Sequence, residues 1–119
     1  MRLIALRGAT SVEANDPDHI LDATEELMRE LLTRNALEPD ALVSCIFTLT
    51  DDLDAEFPAA AARRMGLSRV PLLCAREIPV QGALPRVIRV MIHCYGHVEP
   101  QHVYLGEARA LRLDLEGAQ

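Results

Sequence analysis

A chain of 119 residues, 50% of them hydrophobic, is long enough for one globular domain over residues 1–119 with its own core. Its net charge of −6 argues against nucleic acid and anionic membranes as partners. No apolar run approaches the ~18 residues of a membrane span, and the apolar start is too short for a signal peptide, so we expect a cytoplasmic protein.

The first two predicted elements are a strand and a long helix. The strand covers Arg2–Arg7 and is expected to stop at Gly8. Asp16 followed by Pro17 predicts the start of the helix, because aspartate is a favoured N-cap and proline fits the first helical position. Asn35 is expected to end the helix. The apolar stripe of the helix consists of Ile20, Ala23, Leu27 and Leu31.

A short helix and four more strands follow. The segment Leu42–Leu49 is apolar and rich in β-forming residues, which predicts a central strand. The short helix is expected to begin at Pro58 and to stop at Gly66. The remaining strands are predicted over Val70–Cys74, Arg86–Tyr95 and His102–Leu111.

The order β-α-β-α-β-β-β predicts an α/β (α+β) fold, with a single mixed five-stranded sheet and one long and one short helix on one face. Two helices cover only one face of such a sheet. We therefore expect the other face to be covered by self-association of the chain.

Several kinds of catalytic site lack their sequence signatures. The chain contains no lysine, which excludes Schiff-base and pyridoxal-phosphate chemistry. It contains neither a G-x-S-x-G nor a G-x-G-x-x-G motif, and nothing in the sequence supplies Cys74 with a base. Three cysteines without a CxxC pair fit a reducing compartment. No metal site is expected, because the candidate ligands lack metal-binding spacing: His93, Cys94, His97 and His102.

Arginines in apolar surroundings are the remaining unusual feature. They are Arg7, Arg63, Arg64 and Arg89. Any one of them taken alone is typical of a snorkelling or ion-paired surface arginine. Together with Glu77 and Tyr104 they favour a pocket for a small anionic metabolite, in which a guanidinium holds a carboxylate through two parallel hydrogen bonds.

Four segments follow one another in order between residues 7 and 115: RGATSVEAN, TDDLDAEFPAAAAR, VPLLCAREIPVQGALPRVIRVMIH and HVYLGEARALRLDL. Their short motifs RGAT, FPA-x-x-x-R, C-x-x-E, IRV and HVYL are weak singly and specific in combination. The chain that carries them resembles the trimeric, monofunctional chorismate mutases of the AroH type.

This resemblance implies an isomerase that catalyses the Claisen rearrangement of chorismate to prephenate, a step of aromatic amino acid biosynthesis after the shikimate pathway. The reaction needs no cofactor, nucleophile or proton transfer, so no cofactor is expected. The resemblance also implies a homotrimer with a central β-core and with sites in the clefts between neighbouring subunits. A dianionic substrate fits a cluster of arginines in an acidic protein.

The motifs imply roles for four residues of the site. Arg89 resembles the arginine that faces the ether oxygen whose bond breaks, and Arg7 resembles the residue that holds a substrate carboxylate. Glu77 resembles the carboxylate that binds the ring hydroxyl and faces the partly cationic ring. Tyr104 resembles the phenol that helps to hold a carboxylate. Arg89, Glu77 and Arg7 are the expected catalytic residues.

Further substrate-binding residues are implied around them. Cys74, preceded by Leu73, resembles the residue beside the ring hydroxyl. The short helix is expected to contribute the wall and the entrance through Phe57, Ala59 and Arg63. The C-terminal flap is expected to contribute Leu111 and Arg112.

The chain departs from the family pattern in two places. Ala60 stands where many members have a lysine, and Arg64, four residues on, is a candidate replacement for that charge. LRLDL lacks a proline that is common after the arginine. Two other functions stay open: a trimeric enamine/imine deaminase-like enzyme and a non-catalytic binder of a small carboxylate metabolite. C-x-x-E followed by IRV favours the mutase over both.

Overall fold

The structure, a computed structural model, describes residues 1–96 and 99–111. Within these residues the strands are β1 Arg2–Ser11, β2 Leu42–Leu49, β3 Leu72–Arg76, β4 Val87–Gly96 and β5 Val103–Leu105. The helices are α1 Pro17–Arg34 and α2 Pro58–Arg64, with short 3₁₀ turns at Pro39–Ala41 and Gly106–Ala108. None of the described helices is long and apolar enough to span a membrane.

The strands form one sheet in the order β3-β2-β4-β1-β5. The pairs β1–β4 and β2–β4 are antiparallel, whereas β1–β5 and β2–β3 are parallel. The predicted single mixed five-stranded sheet with two helices is therefore confirmed.

Three predicted strands have a boundary that is wrong by two residues or more. β1 continues past Gly8 to Ser11, because residues 8–11 stay paired with β4 and residues 8–10 also pair with β5. β3 begins at Leu72, two residues later than expected, and extends to Arg76. β5 contains only Val103–Leu105, since Gly106 has a φ of +58° and turns the chain into a 3₁₀ helix.

Both ends of α1 are fixed as the sequence predicts. The Asp16 side chain accepts hydrogen bonds from the backbone N–H groups of Asp18 and His19, at 3.0 and 3.2 Å. At the other end, the Asn35 side chain donates to the carbonyls of Leu31 and Gln101, at 2.8 and 2.9 Å. The second bond ties the end of α1 to the segment that leads into β5.

Side chains alternate between two faces of the sheet. The covered face packs against the helices and contains the main core, with the fully buried residues Leu6, Leu27, Leu31, Phe47 and Ile92. The open face carries the alternate residues of the same strands. Several of its large apolar side chains are exposed, namely Leu3, Ile46, Leu73 and Tyr95.

Candidate active site

A row of polar and small side chains crosses the open face. The strand register places Tyr104 of β5 beside Ala9 of β1, Ala9 beside Arg89 of β4, and Arg89 beside Thr48 of β2. Because partners in adjacent strands project to the same side, Arg89 lies between a small alanine and a threonine. This register brings Arg89 and Tyr104 to the same level of the sheet.

Arg7 lies on the same face, two residues before Ala9, and pairs with Met91. Residues in this diagonal relation have Cα atoms roughly 7–8 Å apart, so the side chains of Arg7 and Arg89 start from neighbouring positions of the open face. The backbone N–H of Arg7 donates to Nδ1 of His102 at 3.0 Å, which anchors this part of β1 to the start of β5. Both arginines therefore project from well-paired strands.

Glu77 supplies the negative charge of the site. Its backbone N–H donates to the carbonyl of Leu49 at 2.9 Å and extends the β2–β3 pairing by one residue. The Thr48 hydroxyl donates to Oε2 of Glu77, and Nε of Arg89 lies 3.4 Å from the same oxygen. The Arg89 side chain is 47% exposed and that of Glu77 is 20% exposed, so the pair faces solvent on the open face.

The charges of this cluster favour an anion. Two guanidinium groups and one carboxylate leave a local net charge of about +1 in a protein of net charge −6. Arg89 approaches Glu77 through Nε, and its planar guanidinium carries further N–H donors that can serve a ligand. Within the described residues, no group of three or more His, Cys, Asp and Glu side chains is arranged to hold a metal.

A second group of predicted residues lies elsewhere on the chain. Phe57, just before α2, is 66% exposed and lines a pocket of about 370 Å³ together with Cys74 and Arg76. The lining of this pocket includes neither Arg7 nor Arg89. The structure thus separates the residues of the predicted site into two groups on one subunit.

Cys74 projects away from the arginine cluster. It pairs with Phe47, which is fully buried on the covered face, and packs against the main core. Cys74 and Glu77 therefore extend to opposite sides of the sheet, and the thiol does not lie beside Arg89. Leu73, by contrast, lies on the open face in register with Ile46 and is 61% exposed.

The other residues expected at the wall and the flap have different environments. Ala59 is buried in the main core, whereas Arg63 is exposed in the last turn of α2. Leu111 packs, like Tyr104, against the small cluster formed by Ala9, Val87 and Ala108. Arg112 lies outside the described residues, as does His97.

Arg64, the candidate replacement for the charge missing at Ala60, pairs with carboxylates of α1 in this structure. Its guanidinium pairs with Glu25 and Asp22 of α1, at 2.5 and 3.1 Å. These carboxylates raise the pKa of Arg64 and hold the side chain between the two helices. Arg64 is therefore a contact between helices on the covered side.

Two cysteines are excluded as nucleophiles by their surroundings. Burial, with a smaller contribution from Cys94, raises the pKa of Cys45 to about 11. Burial also raises the pKa of Cys94. Both thiols are core residues and stay protonated at neutral pH.

Thr48 is the polar residue of the cluster that the sequence analysis missed. The signal was present in the strand LVSCIFTL, where alternation puts Ser44, Ile46 and Thr48 on the face opposite to Cys45 and Phe47. Its pairing with Arg89 depends on the register between β2 and β4, which the sequence does not give.

Comparison with known proteins decides the family. The model of the family "Chorismate mutase type I" matches residues 3–115 of this chain. The chain belongs to the type I chorismate mutase family. It is 50% identical over 119 residues to chorismate mutase AroH of Thermus thermophilus, covering 96% of this chain and 97% of that protein. It is 37% identical over 119 residues to chorismate mutase AroH of Bacillus subtilis (strain 168), covering 97% and 94% of the two chains.

A solved structure of the same family agrees with the fold. Chorismate mutase from Clostridium thermocellum is similar to this structure with a TM-score of 0.88 and 45% sequence identity. The match covers 90% of this chain and 98% of that one. Sheet order and helix placement are therefore those of a chorismate mutase fold.

Proposed function

We propose that this chorismate mutase rearranges chorismate to prephenate at the arginine cluster of the open face. The observation that carries this site is that Arg7 of β1, Arg89 of β4 and Glu77, which follows β3, lie on one side of the sheet. A dianion is matched by two guanidinium groups, and a ring hydroxyl by one carboxylate. The rearrangement is intramolecular, so binding and charge placement are sufficient for catalysis.

Arg7 and Arg89 have different parts in this proposal. Arg7 holds a carboxylate of the substrate in a two-bond contact and fixes its position. Arg89 points its terminal nitrogens at the ether oxygen, where negative charge grows as the bond breaks. Its interaction is therefore stronger in the transition state than in the ground state, and this difference lowers the barrier.

Glu77 and Tyr104 complete the electrostatics. Glu77 accepts a hydrogen bond from the ring hydroxyl and faces the ring, where positive charge develops as the ether oxygen gains negative charge. Tyr104 donates to a substrate carboxylate from the other side of Ala9. Leu111, which packs against the same cluster as Tyr104, covers the substrate together with Arg112.

The active species in this proposal is a homotrimer in the cytoplasm. Two observations support assembly: the open face exposes Leu3, Ile46, Leu73 and Tyr95, and the group around Phe57 is separate from the arginine cluster. We infer that Phe57 and Arg63 of one subunit close the site over the arginines of its neighbour. The three free cysteines fit a reducing compartment.

The test is the conversion of chorismate by the purified protein, followed through its ultraviolet absorbance, with prephenate identified as the product. Turnover is expected to change little across neutral pH, because no general acid or base takes part. Light scattering is expected to give the mass of three chains. A protein that leaves chorismate unchanged, or a sharp pH optimum with a limb on each side, argues against the proposal, and the second result favours a deaminase.

A further inference from the structure

We propose that Thr48 is a positioning residue for the rearrangement, which it serves by fixing the carboxylate of Glu77. This inference rests on the proposed function of the arginine cluster. The Thr48 hydroxyl donates to Oε2 of Glu77, and Thr48 lies beside Arg89 in the register of β2 and β4. Thr48 itself touches neither of the reacting atoms in this account.

One oxygen of Glu77 is held and the other is left for a ligand. Oε2 accepts the Thr48 hydroxyl and lies 3.4 Å from Nε of Arg89. Oε1 has no hydrogen bond in the part of the chain that the structure describes. Since the last torsion of a glutamate side chain is broad, the hydrogen bond from Thr48 to Oε2 restricts the direction in which Oε1 points. Oε1 is thus presented to the open face.

Thr48 also keeps Glu77 from pairing completely with Arg89. A carboxylate next to a guanidinium tends to form two parallel hydrogen bonds, which here would occupy a terminal nitrogen of Arg89 as well as Nε. In this structure Oε2 accepts the Thr48 hydroxyl, whereas Nε of Arg89 lies 3.4 Å from Oε2 and, among the described residues, no hydrogen bond joins the two charged groups. Both charged groups therefore remain available to the substrate.

The position of Thr48 suits this role. β2 is paired on both sides, with β4 and with β3, so the backbone at Thr48 is held between two neighbours. A β-branched side chain on such a strand has little rotational freedom. The hydroxyl is therefore a fixed donor.

The experiment replaces the hydroxyl and keeps the shape. Thr48→Val is expected to lower kcat about tenfold with KM within about twofold, the size expected when one hydrogen bond to a charged group is lost. Thr48→Ser keeps the donor and is expected to retain kcat within about twofold to threefold of the parent. Thr33→Val, the same exchange at an exposed position of α1, is the control and is expected to match the parent. Thr48→Ala replaces the valine variant if that one does not fold.

A second measurement separates positioning from general damage to the strand. Thr48→Val is combined with Glu77→Ala, and each variant is assayed at high enzyme concentration. If Thr48 acts through Glu77, the valine exchange changes kcat less than about twofold in the Glu77→Ala background.

If the parent protein is active, a Thr48→Val variant whose kcat stays within twofold of the parent overturns the inference. It is equally overturned if the serine variant is as slow as the valine variant, or if the two losses multiply in the double variant. A parent that does not convert chorismate overturns the proposed function itself, and with it any role of Thr48 in that reaction.

Discussion

The two faces of the sheet are built from the same strands and differ in what their side chains contact. On the covered face, Phe47 and Leu6 are completely buried beneath the helices. On the open face, the alternate positions carry Arg7 and Arg89 with exposed apolar residues around them. Substitutions on the covered face are therefore expected to change stability, and substitutions on the open face to change catalysis and assembly.

The two phenylalanines of the chain give the largest expected contrast. Phe47 is 0% exposed, whereas Phe57 is 66% exposed. Phe47→Ala is expected to lower the free energy of unfolding by about 3–5 kcal/mol, because it leaves a cavity in the core. Phe57→Ala is expected to change it by less than about 0.5 kcal/mol and to raise KM. Chemical denaturation measures the stability of both variants, and steady-state kinetics measures their KM. Equal losses of stability would contradict the expected difference between the two faces.

Gly8 tests how closely α1 approaches the covered face. A Cβ atom at this position would lie 2.8 Å from Cδ1 of Leu31 and 3.1 Å from Cδ1 of Leu27. Gly8→Ala is expected to lower the free energy of unfolding by about 1–3 kcal/mol through overpacking. Combination with Leu31→Val, which shortens the opposing side chain, is expected to cost less than the sum of the two single changes. If the losses of unfolding free energy in the two single variants add up fully in the double variant, α1 moves aside for the new side chain without strain.

Cys74 sharpens the comparison because it belongs to the covered face although its motif resembles part of the site. Cys74→Ala is expected to lower kcat/KM by tenfold at most, which corresponds to about 1.4 kcal/mol, since its thiol packs against the core. Steady-state assays of the folded variant measure this effect. Complete inactivation, or a covalent adduct at Cys74 with substrate, would show that the thiol takes part in the reaction.

The smallest effect is expected at Arg64, and its neighbour Arg63 is the matched variant. Arg64 is paired with Glu25 and Asp22 of α1, so Arg64→Ala is expected to leave kcat and KM within about twofold of the parent. Arg63→Ala is expected to raise KM, because Arg63 is exposed near the proposed entrance. If KM rises with Arg64→Ala and not with Arg63→Ala, Arg64 rather than Arg63 is the arginine at the proposed entrance.

Much of the fold could be predicted from local sequence signals. The N-cap at Asp16 and the alternation in Leu42–Leu49 identify a helix and a strand directly, and both are confirmed. The predicted fifth strand, His102–Leu111, is longer than the observed strand Val103–Leu105, because the positive φ of Gly106 ends the pairing. Apolar content alone does not show where a backbone leaves the sheet.

The family resemblance assigns an expected role to each residue of the site, but it does not give the side-chain directions. Motifs assign positions, whereas the face that a side chain occupies depends on the strand to which the position belongs and on its register. Cys74 and Glu77 are an odd number of residues apart, and the structure puts them on opposite sides. Thr48 belongs to none of the motifs, and its place beside Arg89 is apparent only from the register of β2 with β4.

The central claim is that the charge of Arg89 on the open face stabilises the transition state. The turnover of Arg89→Ala tests this claim most directly. We expect kcat to fall about a hundredfold to a thousandfold, or about 3–4 kcal/mol, with a smaller change in KM, because the charge matters most where the ether bond breaks. Arg89→Lys should recover little, since lysine lacks the planar fork. Arg29→Ala, on the outer side of α1, should match the parent. A folded Arg89→Ala protein of unchanged mass that keeps kcat within tenfold of the parent would contradict the account.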